Sequence, residues 1–172
     1  LRRMARRTTR EEMEEKIAYM REKLENCYIR TSIIVGFPGE TEEHFANLYD
    51  FVEKMRFDRM GVFAYSQEEG TPAAEFPDQV DDEVKQDRLD RLMTLQQGIS
   101  LELNKAKICS VAEVLVEGYD ADNYLFYGRG RGDSIDVDGK IYFGTEKEVA
   151  PGDIIKVKIL DASEYDLTGM EV

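Results

Sequence analysis

The residues best placed to do chemistry form one stretch, Ile33-Ile34-Val35-Gly36-Phe37-Pro38-Gly39-Glu40-Thr41. An apolar, β-branched run ends in a Gly-Phe-Pro-Gly turn, and Glu40-Thr41-Glu42-Glu43 then opens a helical pattern. That spacing predicts a buried strand feeding a helix through a tight loop. In parallel sheets the carboxyl end of such a strand is where ligands bind. Gly36 and Gly39 would let backbone approach a ligand, Pro38 fixes one φ angle, and Thr41 can cap a helix whose N-terminus favours anionic groups. The plainer alternative is that the stretch is only a turn, as most strand-Gly-Pro-Gly-helix links are.

Little else in the chain is reactive. Cys27 and Cys109 are far apart in sequence and fit neither metal-ligand spacing nor a disulfide framework. They read as reduced, buried thiols of a cytoplasmic protein. His44 is the single histidine, falls on a helix and has no catalytic partner at a recognisable spacing. Neither the cysteines nor the histidine is therefore read as a metal ligand or a catalytic group.

The elements that must hold the turn follow from periodicity. Thr8 or Thr9 can cap a first helix, with Glu11 and Glu12 in its first turn and an apolar face of Met13, Ile17, Met20 and Leu24. A strand is expected over 28–35, a second helix over 41–54 with Phe45, Leu48, Val52 and Met55 inward, and a second strand over 59–65. Strands and helices alternating through short links predict a parallel βα arrangement. Two strands cannot close a sheet, so this half needs more chain than is present. A loop rich in Gly, Pro and acid, 66–80, leads to a long helix from Asp81 or Asp82 to about Lys105. Its expected buried stripe is Leu92, Leu95, Ile99 and Leu103, with Asp87, Arg88, Asp90 and Arg91 outside it.

Beyond Ile108 the texture changes to five short strands, over 111–117, 124–127, 140–144, 153–160 and 165–171, separated by Gly, Asp and Pro-Gly turns. This predicts a small five-stranded antiparallel barrel of the oligonucleotide-binding kind. The expected domains are 1–106 and 107–172.

Composition narrows the partners. Hydrophobic residues make up 42% of the 172, enough for a packed core. No apolar run reaches the ~20 residues that cross a bilayer, so no membrane is implied. The basic start Leu1-Arg2-Arg3-Met4-Ala5-Arg6-Arg7 lacks the apolar core of a signal peptide, and a first residue other than Met suggests a piece of a longer protein. Net charge is −13. Residues 107–172 hold seven basic and fourteen acidic side chains. A small barrel for RNA normally carries a basic face, so the expected partner is a basic protein. Gly128-Arg129-Gly130-Arg131-Gly132 imitates a phosphate cradle, but no helix pattern follows it.

Taken in order, three strings resemble the methylthiotransferases of the radical S-adenosylmethionine superfamily. They are Leu1 to Arg7, Arg30-Thr31-Ser32 running through the turn to Thr41, and Tyr65-Ser66 followed by Glu69-Gly70-Thr71-Pro72-Ala73. The terminal barrel is similar to a TRAM domain. Phe57-Asp58-Arg59-Met60-Gly61-Val62-Phe63, Pro77-Asp78-Gln79-Val80 and the loop Asp133-Ser134-Ile135-Asp136-Val137-Asp138-Gly139 resemble the branch acting on ribosomal protein uS12 more than the branch acting on adenosine of transfer RNA. Ser134-Ile135-Asp136 departs from that branch's usual Ala-Pro-Glu and loses the proline that would stiffen the loop.

The resemblance implies the second half of a partial (βα) barrel followed by the TRAM barrel. It implies S-adenosylmethionine and two 4Fe-4S clusters in the full-length protein, and methylthiolation of an aspartate of uS12. The cluster-binding cysteine motifs of the family match nothing in this chain, which alone is expected to be inactive. What remains is part of the cofactor wall: Ile34, Gly36, Phe37, Gly39 and Glu40, with Tyr65 and Ser66 on the opposite side. The alternatives left open are a transfer-RNA adenosine methylthiotransferase and a non-enzymatic TRAM adaptor.

Overall fold

The computed structural model describes residues 2–4 and 6–172, with the side chain of Arg2 outside that description. Leu1 and Ala5 of the basic amino-terminal string therefore lie outside the described residues. The chain divides into two compact units, Leu1–Gln96 and Gln97–Val172. The longest helix, α3 (Asp82–Lys105), runs through that division.

In the first unit, α1 (Arg10–Lys23) starts on a capping box in which Thr9 and Glu12 satisfy each other's backbone N–H. Its apolar face is weaker than its periodicity suggests: Ile17 is buried, but Leu24 lies just past the helix and is 55% exposed. β1 (Arg30–Val35) and β2 (Arg59–Ala64) pair in parallel, Ile33 opposite Val62 and Ile34 opposite Phe63. Between them α2 (Glu42–Met55) buries Phe45, Phe51, Val52 and Met55. It ends on Arg56 in the left-handed region at φ 48°. The unit thus contains the expected parallel βα arrangement.

Helix α3 buries Leu92 and Ile99, as the apolar stripe requires. The stripe continues toward the N-terminus through two cations. Lys85 and Arg88 are buried, Arg88 only 4% exposed, although the apolar pattern places Arg88 outside. Stepping back from Leu92 by four and seven positions reaches these two residues, so they lie on the same face. Buried Gln96 donates to the carbonyl of Phe57 at 2.9 Å and ties the helix to the chain entering β2.

The second unit contains a closed barrel in the order β3-β4-β5-β7-β6. Its strands are β3 (Val111–Asp120), β4 (Leu125–Arg129), β5 (Ile141–Gly144), β6 (Ile154–Ala162) and β7 (Leu167–Glu171). Val114, Val116, Ile141, Phe143, Val157, Ile159 and Leu167 fill it. Pairing is antiparallel except between β5 and β7, which run parallel. The parallel pair is a requirement of closure: an odd number of strands cannot alternate direction all the way round a ring. Gly128 explains the glycine-rich string, since a Cβ there would stand 2.1 Å from the carbonyl oxygen of Leu115. Arg129 from the same string pairs with Glu117 at 2.8 Å.

Two expectations fail locally. Tyr124 is not a strand residue; it occupies the left-handed region at φ 55° in the β3–β4 turn. The cysteines are not buried thiols: Cys109 is exposed and Cys27 half-buried, because both fall in connecting segments where no element covers them.

Candidate functional site

The turn after β1 is built as a compact, internally bonded loop. Gly36 and Gly39 hold φ of 71° and 82°, the left-handed region that a Cβ disfavours. Glu40 folds back so that its Oε1 accepts from the Gly36 N–H at 2.9 Å, while its own N–H donates to the Phe37 carbonyl at 2.9 Å. The Gly39 N–H donates to the Asp78 carbonyl at 2.8 Å. Val35 and Pro38 are fully buried and anchor the two ends. Thr41 then caps α2, its hydroxyl accepting from the His44 N–H and its own N–H donating to His44 Nδ1 at 3.3 Å. The single histidine is thus a capping residue.

Side chains from four other segments close around this loop. The N–H of Tyr65, just past β2, donates to the carbonyl of Val35 at 2.9 Å, and its ring meets Phe37 edge-on with centroids 5.2 Å apart. Phe76 packs edge-on against the other side of Phe37 at 6.3 Å. Asp78 holds Arg3 in a two-pronged ion pair, with Arg3 Nη2 2.8 Å from Oδ1, and the Arg3 guanidinium lies 4.7 Å above the Phe76 ring. The hydrogen bonds from Arg3 keep the Asp78 carboxyl below the usual aspartate range. Lys85 lays its methylenes against Gly36, where an added Cβ would meet Cγ at 2.2 Å, and carries its ammonium 5.8 Å from the Tyr65 ring. Arg88 Nη1 is 2.9 Å from Glu40 Oε1.

Gly36, Phe37, Gly39, Glu40 and Tyr65 therefore come together in one cluster. Ile34 lies on the open face of the two-stranded sheet, 42% exposed and paired with Phe63, itself 57% exposed. Ser66 contributes nothing to the cluster; its hydroxyl turns to Glu68. Sequence reasoning missed Arg3, Phe76, Asp78, Lys85 and Arg88. For Lys85 and Arg88 the signal was present in the phase of the α3 stripe.

An adenine-like ring needs an apolar wall and backbone polar groups. The exposed Ile34–Phe63 face beside the turn offers the first. The hydroxyl of Tyr65 is buried without a partner among the described residues, a polar atom that a ligand or water would satisfy. These residues fit a nucleoside cofactor. They do not fit an iron–sulfur cluster: the cysteines fall in different units, and among the described residues no group of His, Cys, Asp and Glu could hold a metal ion. No helix among the described residues is long and apolar enough to cross a membrane.

Residues 108–172 match the TRAM domain family. Similarity to whole proteins runs along nearly the full chain. It is 48% identical over 170 residues to the ribosomal protein uS12 methylthiotransferase RimO of Clostridium botulinum strain Langeland, covering 99% of this chain. It is 47% identical over 170 residues to the protein of the same name from Geobacter sulfurreducens, and 48% over 166 residues to that of Clostridioides difficile strain 630. The chain spans 37–38% of the length of these relatives.

Proposed function

We propose that the chain is the carboxy-terminal part of a radical S-adenosylmethionine methylthiotransferase that modifies an aspartate of ribosomal protein uS12 in the cytoplasm. The observation that carries this reading is 48% identity sustained over 170 residues to proteins named for that activity. In this reading residues 1–106 belong to the catalytic barrel and 107–172 form the TRAM domain that docks the substrate. Ile34, Gly36, Phe37, Gly39, Glu40 and Tyr65 line the cofactor. S-adenosylmethionine, when bound, supplies the radical that removes hydrogen from the substrate, and the two 4Fe-4S clusters are held by cysteines outside these 172 residues. The chain's own part is to shape a dry wall and to bring the substrate in.

The acidity of residues 107–172, net −7, supports a basic protein partner. One observation favours the transfer-RNA reading instead. The Lys140 ammonium lies 4.1 Å from the centre of the Tyr127 ring, and Tyr127 neighbours Tyr142, a small aromatic and cationic patch of the kind that stacks bases. Incubation of the full-length protein with S-adenosylmethionine, reductant, a sulfur source, uS12 and transfer RNA separates the two. Mass spectrometry is expected to find the methylthio group on a uS12 aspartate. Its appearance on transfer-RNA adenosine alone would replace this reading with the other.

A further inference from the structure

The turn is held from outside by a helix that the cofactor reading does not use. We propose that Arg88 is a positioning residue: acting through Glu40, it sets the conformation of the Gly36–Glu40 turn, while Lys85 sets the distance between the turn and α3. The proposal deepens the reading of the turn as a cofactor wall and rests on it for its consequence, though its geometry stands alone.

Three observations support it. A single carboxylate oxygen, Glu40 Oε1, accepts from both Arg88 Nη1 and the Gly36 N–H, each at 2.9 Å. Arg88 Nη1 also reaches the Glu40 carbonyl at 3.2 Å, so the guanidinium grips side chain and backbone of the same residue. Lys85 fills the space where any side chain at position 36 would stand, which fixes how closely the turn approaches the helix.

Energetics point to geometry as the purpose. A guanidinium 4% exposed has lost its water, and its partner carboxylate is also largely covered. Apolar residues of similar volume often stabilise a fold as well as a buried ion pair does. What they cannot do is orient a backbone amide. The guanidinium sits 5.5 Å from the Phe45 ring, and the neighbouring Arg91 covers the same ring at 4.5 Å, so Arg88 is held by packing as well as charge. An arginine matches this two-point grip better than a lysine, whose ammonium is a single point charge.

The experiment uses the full-length protein and two readouts, hydrogen–deuterium exchange of a peptide covering 33–41 and calorimetric binding of S-adenosylmethionine. In Arg88→Met the turn is expected to exchange about tenfold faster or more, the scale of a lost charged hydrogen bond, with α1 and the barrel unchanged. Arg88→Lys is expected to recover part of that protection, and affinity for S-adenosylmethionine to fall about tenfold in Arg88→Met. Turn exchange within about twofold of wild type in Arg88→Met would overturn the proposal. Should that variant fail to fold, the same comparison in Glu40→Gln, which keeps an acceptor for Gly36 but discharges the pair, decides it. Faster exchange with unchanged cofactor affinity would uphold the positioning role and overturn the cofactor wall instead.

Discussion

The two units bury different things. The second unit packs seven apolar side chains inside a ladder that closes on itself, and its buried polar residues, Ser100 and Asn104, are neutral, Asn104 donating to the carbonyls of Ser163 and Glu164. The α/β unit has an apolar core too, but it buries two cations, Lys85 and Arg88, besides Gln96; Arg88 and Gln96 bond to connecting segments, and the Lys85 ammonium bonds Asp82 on its own helix. Its two strands pair in parallel, Ile34 beside Phe63. The contrast teaches where to look for function: the barrel closes on an apolar interior, whereas the α/β unit sets buried charge against one turn.

The largest expected effect tests the barrel half of this contrast. Phe143 is fully buried and stacks with Phe126 at 5.9 Å. Phe143→Ala is expected to cost about 3–5 kcal/mol in chemical denaturation, read on the barrel. A loss below ~1 kcal/mol would mean that the core is not the closed cluster described. Gly36→Ala comes next. It puts a Cβ at φ 71° and against Lys85, so a loss of about 1–3 kcal/mol is expected, confined to the first unit in hydrogen exchange. Phe63→Ala sharpens the comparison from the other side. On the open face its stability effect should stay within about 0.5 kcal/mol, although Phe63 and Phe143 are chemically identical.

The smallest effect concerns pH. Hydrogen bonding from Arg3 depresses the Asp78 carboxyl in the folded state. A depressed folded value means the tether's contribution is present above the unfolded aspartate value of about 3.9 and is lost as pH falls through the lower folded value. Carboxyl-resolved NMR titration should place the Asp78 midpoint below ~3.9, and Arg3→Met should return it toward that value. The pair is half exposed, so global stability should barely respond.

The barrel was legible in the sequence because five short strand-like runs are separated by Gly, Asp and Pro-Gly turns, and the β1 turn because Gly-Phe-Pro-Gly punctuates a β-branched run. Other features were hidden for specific reasons. The parallel β5–β7 pair follows from closing a ring of five, which no single strand's pattern reveals. Arg88 and Lys85 look like solvent residues by type, and only their phase relative to Leu92 betrays their burial. Leu24 has the right spacing to be buried but falls one residue past the end of α1, at its C-cap, so helical phase no longer aims it. The Arg3–Asp78 pair joins residues distant in sequence, and neither residue type signals the other.

The most direct test of the account is a binding titration of the 172-residue chain with purified uS12 and, in parallel, with transfer RNA, repeated across a salt series. An acidic docking barrel predicts measurable uS12 binding that weakens as salt rises, and far weaker binding of transfer RNA at every salt concentration. Tight, salt-sensitive binding of transfer RNA with no uS12 binding at low salt would contradict it.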